Sequence, residues 1–208
     1  MHEPMRAGAT IAPTRLACYI YEQSLDSFMH WNSSEVQNPQ RRTQLRAMKG
    51  AKSQEVEADG VPASELWDIY AGLGFVQLFH KLLPQVLRKV NVVRGDGGVG
   101  TVLQVTLVSP GDPGGKEMTY QEEFVKIDNE KRVKETLAIQ GDVLKLGFTK
   151  YVTRLEVIEK GPSSSAIRST LEYEFPDGHP EIEDGANTAP LAAAAESIVQ
   201  YVKEQKAN

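Results

Sequence analysis

Apolar and polar residues alternate in seven stretches of the chain, which is the pattern of strands that bury one face. Residues that favour turns, such as Gly, Pro, Asn and Asp, separate most of these stretches. The short connections between consecutive stretches favour antiparallel pairing. The sequence therefore predicts an antiparallel sheet with strands at 53–61, 86–94, 101–108, 117–127, 131–140, 145–159 and 165–175.

Apolar residues at helical spacing follow the first predicted strand. A short helix is predicted to begin near Pro62, with Ser64 as its cap, and the glycines at positions 72 and 74 interrupt it. A second short helix is predicted over 75–83, just ahead of a proline that ends it. The polar segment 176–185 is predicted to be a loop.

The C-terminal stretch predicts one long closing helix, with Thr188 as its N-cap and Pro190 in its first turn. Apolar residues between Leu191 and Val202 fall on one stripe of this helix. An antiparallel sheet with one apolar face must be covered, and this helix is the predicted element long enough to cover it. The fold class is therefore α+β, and a curved sheet around a helix can leave a hollow.

The stretch Gly95-Asp96-Gly97-Gly98-Val99-Gly100 matches the letters of the dinucleotide-binding motif G-x-G-x-x-G. That motif requires a helix directly after the glycines, so that the helix N-terminus holds a pyrophosphate. Here a predicted strand follows instead, and Thr101-Val102 stands where a P-loop needs Lys and Ser or Thr. We therefore predict a hairpin in which the four glycines supply positive φ angles, with at most a weak anion nest and no nucleotide site.

Composition and charge narrow the classes of function. The 208 residues, 40% hydrophobic and 25% charged, are enough for one packed domain. A net charge of −5 argues against nucleic acid or an anionic membrane as the main partner. The lone Cys18 and four scattered histidines offer no disulfide framework and no ligand spacing, so no metal and no cofactor are expected. A cytoplasmic location, with the nucleus as an alternative, is the corresponding expectation.

Residues 1–47 lack the periodicity of the rest and carry acidic residues that are unusual in a targeting peptide. They are predicted to form a disordered N-terminal extension that is dispensable for folding. The compact domain is predicted to span 48–208.

Several motifs together resemble the Bet v I family, which includes the birch pollen allergen and the pathogenesis-related class-10 proteins. They are Met48-Lys49-Gly50, Leu82-Leu83-Pro84, the glycine stretch with Thr101, Tyr120-Gln121-Glu122-Glu123-Phe124, Asp128-Asn129-Glu130-Lys131-Arg132-Val133-Lys134 and Ala189-Pro190-Leu191-Ala192. The resemblance implies a helix-grip fold: a seven-stranded antiparallel sheet wrapped round a long C-terminal helix, with two short helices after the first strand. It also implies an internal cavity for small hydrophobic or aromatic ligands.

Within that family the chain is most similar to the norcoclaurine synthases, which join dopamine to an aldehyde in a Pictet–Spengler condensation. The catalytic groups carried over from them fall on Tyr120, Glu122 and Lys134. An aspartate of those enzymes falls on Thr153, which cannot hold a negative charge near neutral pH. A wall of the implied cavity is expected to include Phe75, Leu78, Phe79, Leu82, Leu103, Val105, Phe124 and Tyr151.

Binary patterning opposes this catalytic assignment. The residues of opposite parity on the same two strands are apolar: Val125, Ile127, Val133, Leu137 and Ile139. The polar set faces a cavity only if a bulge intervenes or if the outer face of the sheet is partly apolar. The alternative is an ordinary cross-strand pair between Glu122 and Lys134 on a solvated face.

Two functions follow from the resemblance. The first is binding of small hydrophobic or aromatic metabolites in plant defence or secondary metabolism, by a monomer or weak homodimer. Binding of a hormone such as abscisic acid, with a phosphatase partner, is a weaker variant because the stretch 107–118 shows no recognisable gate loop. The alternative is condensation of dopamine with an arylacetaldehyde. A ribonuclease activity is disfavoured because the chain has no paired histidines.

Overall fold

Seven strands form an antiparallel sheet in the computed structural model, which describes residues 47–108 and 116–207. Across the sheet the strands follow the order β1-β7-β6-β5-β4-β3-β2, so β2 to β7 are consecutive neighbours and β1 closes against β7. This topology confirms the predicted α+β fold. The strands are β1 (Ala47–Asp59), β2 (Leu87–Arg94), β3 (Val102–Val108), β4 (Glu117–Asp128), β5 (Val133–Gly141), β6 (Lys150–Gly161) and β7 (Ser164–Pro176).

Four helices and a 3-10 helix complete the described part of the chain. The helices are α1 (Ala63–Tyr70), α2 (Gly74–Leu82), α3 (Asp142–Lys145) and α4 (Ala189–Ala207), and the 3-10 helix is Pro180–Gly185. The two short helices after β1 and the long closing helix match the prediction. No helix among residues 47–108 and 116–207 is long and apolar enough to cross a membrane.

Several predicted boundaries are wrong. The strand predicted from position 53 is already paired at Ala47, because β1 follows β7 along the whole length of that strand. The strand predicted from position 145 begins at Lys150, after α3 and a tight turn. Pro62, and not Ser64, precedes α1, and no side chain caps that helix. The predicted loop at 176–185 contains the 3-10 helix. The predicted extension lies outside the described residues except for Ala47.

The long helix α4 packs its apolar stripe against the inner face of the sheet. Ala194, Ala195 and Ile198 are completely buried, and Val199 and Val202 are nearly so. The two alanines let the helix backbone approach the strands closely, while the larger side chains fill the space beside them. This contact confirms the predicted stripe and gives the sheet its covered face.

The glycine stretch forms the turn between β2 and β3, as predicted. Gly95, Gly97 and Gly100 have φ angles of +92°, +109° and +88°, which residues with a side chain rarely adopt. Gly98 does not have a positive φ angle, so the prediction is wrong for this glycine. The N–H groups of Gly97, Gly98 and Gly100 donate to Thr101 Oγ1, Asp96 Oδ1 and Phe124 O, respectively. These three amides already have acceptors within the protein and are therefore not available to an anion.

An Ile198→Asp substitution should destabilise the domain strongly, because it buries a charge at a position that is completely shielded from water. We expect a loss of several kcal/mol in the free energy of unfolding, roughly 3–5 kcal/mol, measured by urea denaturation. Gln200→Asp on the exposed face of α4 is the matched control and should change stability by less than about 1 kcal/mol. Equal stability of the two variants would remove α4 from the core.

Candidate functional site

A cavity of about 70 Å³ lies between the inner face of the sheet, α2 and the start of α4. Its wall is mostly apolar and aromatic, with a small number of polar side chains that converge from β4, β5 and β6. This is the composition expected of a site for a small aromatic molecule. The lining residues are Phe75, Val76, Phe79, Leu87, Val105, Leu107, Tyr120, Glu122, Phe124, Lys134, Thr136, Tyr151, Thr153, Leu155, Leu171, Asn187, Pro190 and Leu191.

Irregular pairing between β4 and β5 turns the polar residues inward. The register shifts between Gln121 and Glu122, and again between Phe124 and Lys126. Ahead of the second shift Glu122 and Phe124 face the cavity, and beyond it Ile127 packs on the inner core. A bulge changes the parity of a strand, which binary patterning cannot anticipate.

The outer face of the same strands is partly apolar, which is the second condition for an inward polar set. Val125 and Ile139 are 41% and 40% exposed, so the expectation that these two residues point inward is wrong. Leu137 is half-buried, whereas Val133 is 1% exposed. The polar assignment carried over from the family is therefore compatible with this sheet.

Lys134 is a buried cation with few partners. Its side chain is 1% exposed, and Nζ donates a hydrogen bond of 2.9 Å to the carbonyl oxygen of Gly72. Nζ also lies 4.5 Å from the ring centroid of Phe124 and 5.8 Å from that of Phe75. Burial lowers the pKa of Lys134 to about 8, although the charge of Glu122 opposes this shift.

Glu122 is also buried, at 9% exposure, and has a different partner. Its Oε2 accepts a hydrogen bond of 3.0 Å from Thr136 Oγ1. Burial raises the pKa of Glu122, and the Thr136 hydrogen bond and the charge of Lys134 oppose that shift. The register places Glu122 opposite Ala138 and Lys134 opposite Ile127, so the simple cross-strand pair considered above is not formed.

Two tyrosines face the same space. Burial, together with the charge of Glu122, raises the pKa of both Tyr120 and Tyr151. Both phenols are therefore neutral near pH 7 and can donate a hydrogen bond to a carbonyl oxygen. Acid and base groups whose pKa values are displaced by their surroundings, gathered in one concave site, are typical of proton-transfer catalysis.

Five of the eight residues predicted for the cavity wall are on it: Phe75, Phe79, Val105, Phe124 and Tyr151. The other three are not on it. Leu103 is fully buried in the core, Leu78 packs half-buried against that core, and Leu82 lies in a surface groove beside α4. On α2, Leu78 lies beside the face that carries Phe75 and Phe79. Leu82 shares that face with Phe75 but lies about two turns further along the helix, where it lines the surface groove and not the cavity.

Several wall residues were missed by the sequence analysis. Thr136 is two residues from Lys134, and Leu155 is two residues from Thr153, so strand alternation carries a signal for both. The segment 187–191 carries no comparable signal, because it reaches the cavity only through the placement of α4.

Two further expectations concern other parts of the chain. Residues 109–115, which make up most of the stretch 107–118 where a gate loop would lie, are outside the described residues. Among the residues that the structure describes, no group of three His, Cys, Asp or Glu side chains is arranged to hold a metal ion.

Lys134→Met should stabilise the protein at pH 7, because it removes a buried charge and leaves an apolar chain of similar size. The expected gain is on the order of 1–3 kcal/mol in the free energy of unfolding. In the folded protein the pKa of Lys134 is about 8, against 10.5 for an ordinary lysine. Between these two pH values the folded protein therefore binds fewer protons than the unfolded chain. Wild-type stability should therefore rise through this window, and the gain of the variant should shrink.

The measurement is urea denaturation of both proteins from pH 7 to pH 10. Lys126→Met is the matched control, since Lys126 lies exposed on the outer side of β4 and pairs with Glu135. A gain that stays constant with pH would show that Lys134 has an ordinary pKa.

Comparison with known proteins agrees with this geometry. Residues 47–203 match the model of the pathogenesis-related protein Bet v 1 family. Norbelladine synthase from Narcissus pseudonarcissus is 45% identical over 161 residues, covering 77% of this chain and 96% of that protein. S-norcoclaurine synthase from Thalictrum flavum subsp. glaucum is 37% identical, covering 69% of this chain and 67% of the enzyme.

Solved structures of norcoclaurine synthase from Thalictrum flavum are similar too. A complex with dopamine and hydroxybenzaldehyde is 34% identical, covers 77% of this chain and 90% of that one, and has a TM-score of 0.65. A point mutant in complex with a transition-state analogue is 34% identical, covers 78% and 99%, and has a TM-score of 0.68. The chain belongs to the Bet v 1 family, among relatives that resemble norcoclaurine synthase.

Proposed function

We propose that this protein catalyses the condensation of an arylethylamine, such as dopamine, with an aryl-substituted aldehyde inside the cavity. One observation carries the proposal: Lys134 and Glu122 are both buried in the same aromatic cavity, and each is bonded to a separate neutral partner. Two proton carriers that do not neutralise each other in an ion pair are both available to a reacting molecule. Binding of small aromatic metabolites, the first function considered above, is the initial step of this reaction.

The relatives favour the enzyme over a protein that only binds. The two described above carry the names of synthases, and a solved norcoclaurine synthase holds dopamine and hydroxybenzaldehyde. This chain has the lysine, glutamate and tyrosine carried over from that group on its cavity wall. A fold alone would not justify the proposal, since Bet v 1 domains share a scaffold and not a reaction.

The first chemical step is attack of the free amine on the aldehyde carbon. Tyr120 lines the cavity, and in this step its phenol donates a hydrogen bond to the carbonyl oxygen, on which negative charge develops. The Lys134 ammonium then gives its proton to the hydroxyl group of the carbinolamine, which leaves as water. The products of this step are an iminium ion and a neutral lysine, so atoms and charge balance.

Glu122 takes the protons that the substrates release. It accepts one from the attacking amine and returns it to the alkoxide oxygen, which forms the carbinolamine hydroxyl and restores the carboxylate. In a ring-closing reaction the carboxylate then accepts the aromatic proton after the ring has attacked the iminium carbon, and that proton can return to the neutral Lys134 for the next cycle. Thr153 lines the cavity but does not titrate in the working range, so it cannot carry either proton. The proton transfers therefore fall on Lys134 and Glu122, and Tyr120 contributes a hydrogen bond.

The cavity has to widen for two ring-bearing substrates. Its volume of about 70 Å³ is less than half of the ~150 Å³ known to accept one benzene molecule. One side of the cavity is formed by α2 and by the start of α4, which are not held by strand pairing. This is the side that can move outward. Aromatic rings would then lie against Phe75, Phe79 and Phe124.

Turnover should be measured with dopamine and either 4-hydroxybenzaldehyde or 4-hydroxyphenylacetaldehyde, with borohydride reduction to detect an open imine. We expect product above the buffer reaction, and a loss of roughly 10²–10⁴-fold in Lys134→Met, as for removal of a general acid. The rate should fall above about pH 8 as the lysine loses its proton. Lys126→Met on the outer face should behave as the wild type; wild-type activity no higher than the buffer reaction would disprove the proposal.

Thr153→Asp places a carboxyl group where the related enzymes carry an aspartate. If ring closure is limited by proton transfer, this variant should raise the yield of cyclised product relative to open imine, because it adds a titratable group to the wall. Thr153→Asn is the matched control, with nearly the same shape and no charge. An equal product ratio for the two variants would show that a charge at this position does not limit the reaction.

A further inference from the structure

We infer that Thr136 is a positioning residue that holds Glu122 in its charged, inward-facing state. This inference rests on the proposed function, since it assigns the group that prepares the proposed base. The catalytic residues carried over from the norcoclaurine synthases, Tyr120, Glu122 and Lys134, do not include this threonine.

The obvious partner for Glu122 would be Lys134, but the geometry separates the two. Nζ of Lys134 is directed to the carbonyl oxygen of Gly72 and to the rings of Phe124 and Phe75. Among the described residues no carboxylate forms an ion pair with Lys134, so the lysine acts on Glu122 only through space. Thr136 is instead in direct contact with the carboxylate, at 3.0 Å.

Burial makes the threonine hydroxyl important. Thr136 is 4% exposed and Glu122 is 9% exposed, so water competes little for either group. A carboxylate in such a place needs a donor, because an uncompensated buried charge is costly. The hydroxyl donates its one hydrogen bond to Oε2 and leaves Oε1 to accept a proton from a substrate.

The position of Thr136 in the sheet fixes the direction of its hydroxyl group. Thr136 is paired with Phe124 on β4 and with Thr153 on β6, at the centre of the sheet. Because β-branched side chains have few rotamers, the hydroxyl is held in one direction once its methyl group is packed. The other titratable groups that face Glu122 are Tyr120 on the same strand, Lys134 on β5 and Tyr151 on β6. Of these, Lys134 is the group whose positive charge favours the ionised carboxylate.

Thr136→Val tests this role, since valine keeps the branched shape and removes the hydroxyl. The direct readout is the titration of the Glu122 side-chain carboxyl by ¹³C NMR in the full chain, with its signal assigned by Glu122→Gln. We expect the titration midpoint to rise by roughly 1–2 pH units in Thr136→Val, because the charged form loses its donor. Thr136→Ser should restore the wild-type midpoint.

Thr106→Val is the matched control. Thr106 is a buried strand threonine whose hydroxyl bonds to Thr119 at 3.0 Å, and it points away from the face that carries Val105 and Leu107. The same loss of a hydroxyl should leave the Glu122 midpoint unchanged. A fall in melting temperature common to both variants reports the structural cost and not the positioning role.

The second readout is the pH profile of condensation. Because the base works as the carboxylate, the acidic limb of kcat/KM should move to higher pH in Thr136→Val by the same amount as the NMR midpoint, and return in Thr136→Ser. An unchanged Glu122 midpoint in folded Thr136→Val would overturn the inference, whatever the activity. Absence of turnover in the wild type would defeat the proposed function alone, since the titration still decides the role of Thr136.

Discussion

Burial of the Lys134 ammonium is the interaction on which the rest of the site depends. The sheet, α2 and the carbonyl of Gly72 together hold a cation among aromatic rings, where its charged form is disfavoured. A lysine on the outer face would keep an ordinary pKa and could not exchange protons near neutrality. The irregular pairing of β4 with β5 then brings Glu122 and Tyr120 to the same space.

The buried charges of the cavity reduce the stability of the protein but are needed for the proposed proton transfers. On the outer face of the sheet, charged side chains form ion pairs across strands, as in the contacts of Glu135 with Arg154 and Lys126. On the inner face, Lys134 and Glu122 are buried and do not pair with each other. This lowers the stability of the protein and leaves both groups available for proton transfer. A second buried cluster, which contains Phe148, Tyr151, Tyr173 and Phe175, adjoins the cavity through Tyr151. Its packing, and the hydrogen bond that Tyr173 donates to Glu183, help to keep this wall in place.

Much of the fold followed from the sequence, because strand alternation and helical spacing are properties of short segments. The antiparallel sheet, the two short helices, the turn with positive φ at Gly97 and the apolar stripe of α4 were all predicted. The errors fell where pairing partners decide the outcome. The start of β1 depends on the length of β7, and the direction of Val125 depends on a bulge that no local pattern encodes. Strand alternation places Thr136 on the same face as Lys134, but its role was missed because a threonine on a strand acquires one only when its neighbour is known to be a buried carboxylate.

The central claim is that Lys134 is a buried amine that changes its protonation near neutral pH, and it can be tested directly. The chemical shifts of the Lys134 Nζ and Cε atoms can be followed from pH 6 to pH 12 by ¹⁵N and ¹³C NMR of lysine-labelled protein, with the signal assigned by Lys134→Met. The account predicts a midpoint at about 8, well separated from the exposed lysines. A midpoint near 10.5, together with the exposed lysines, would contradict it.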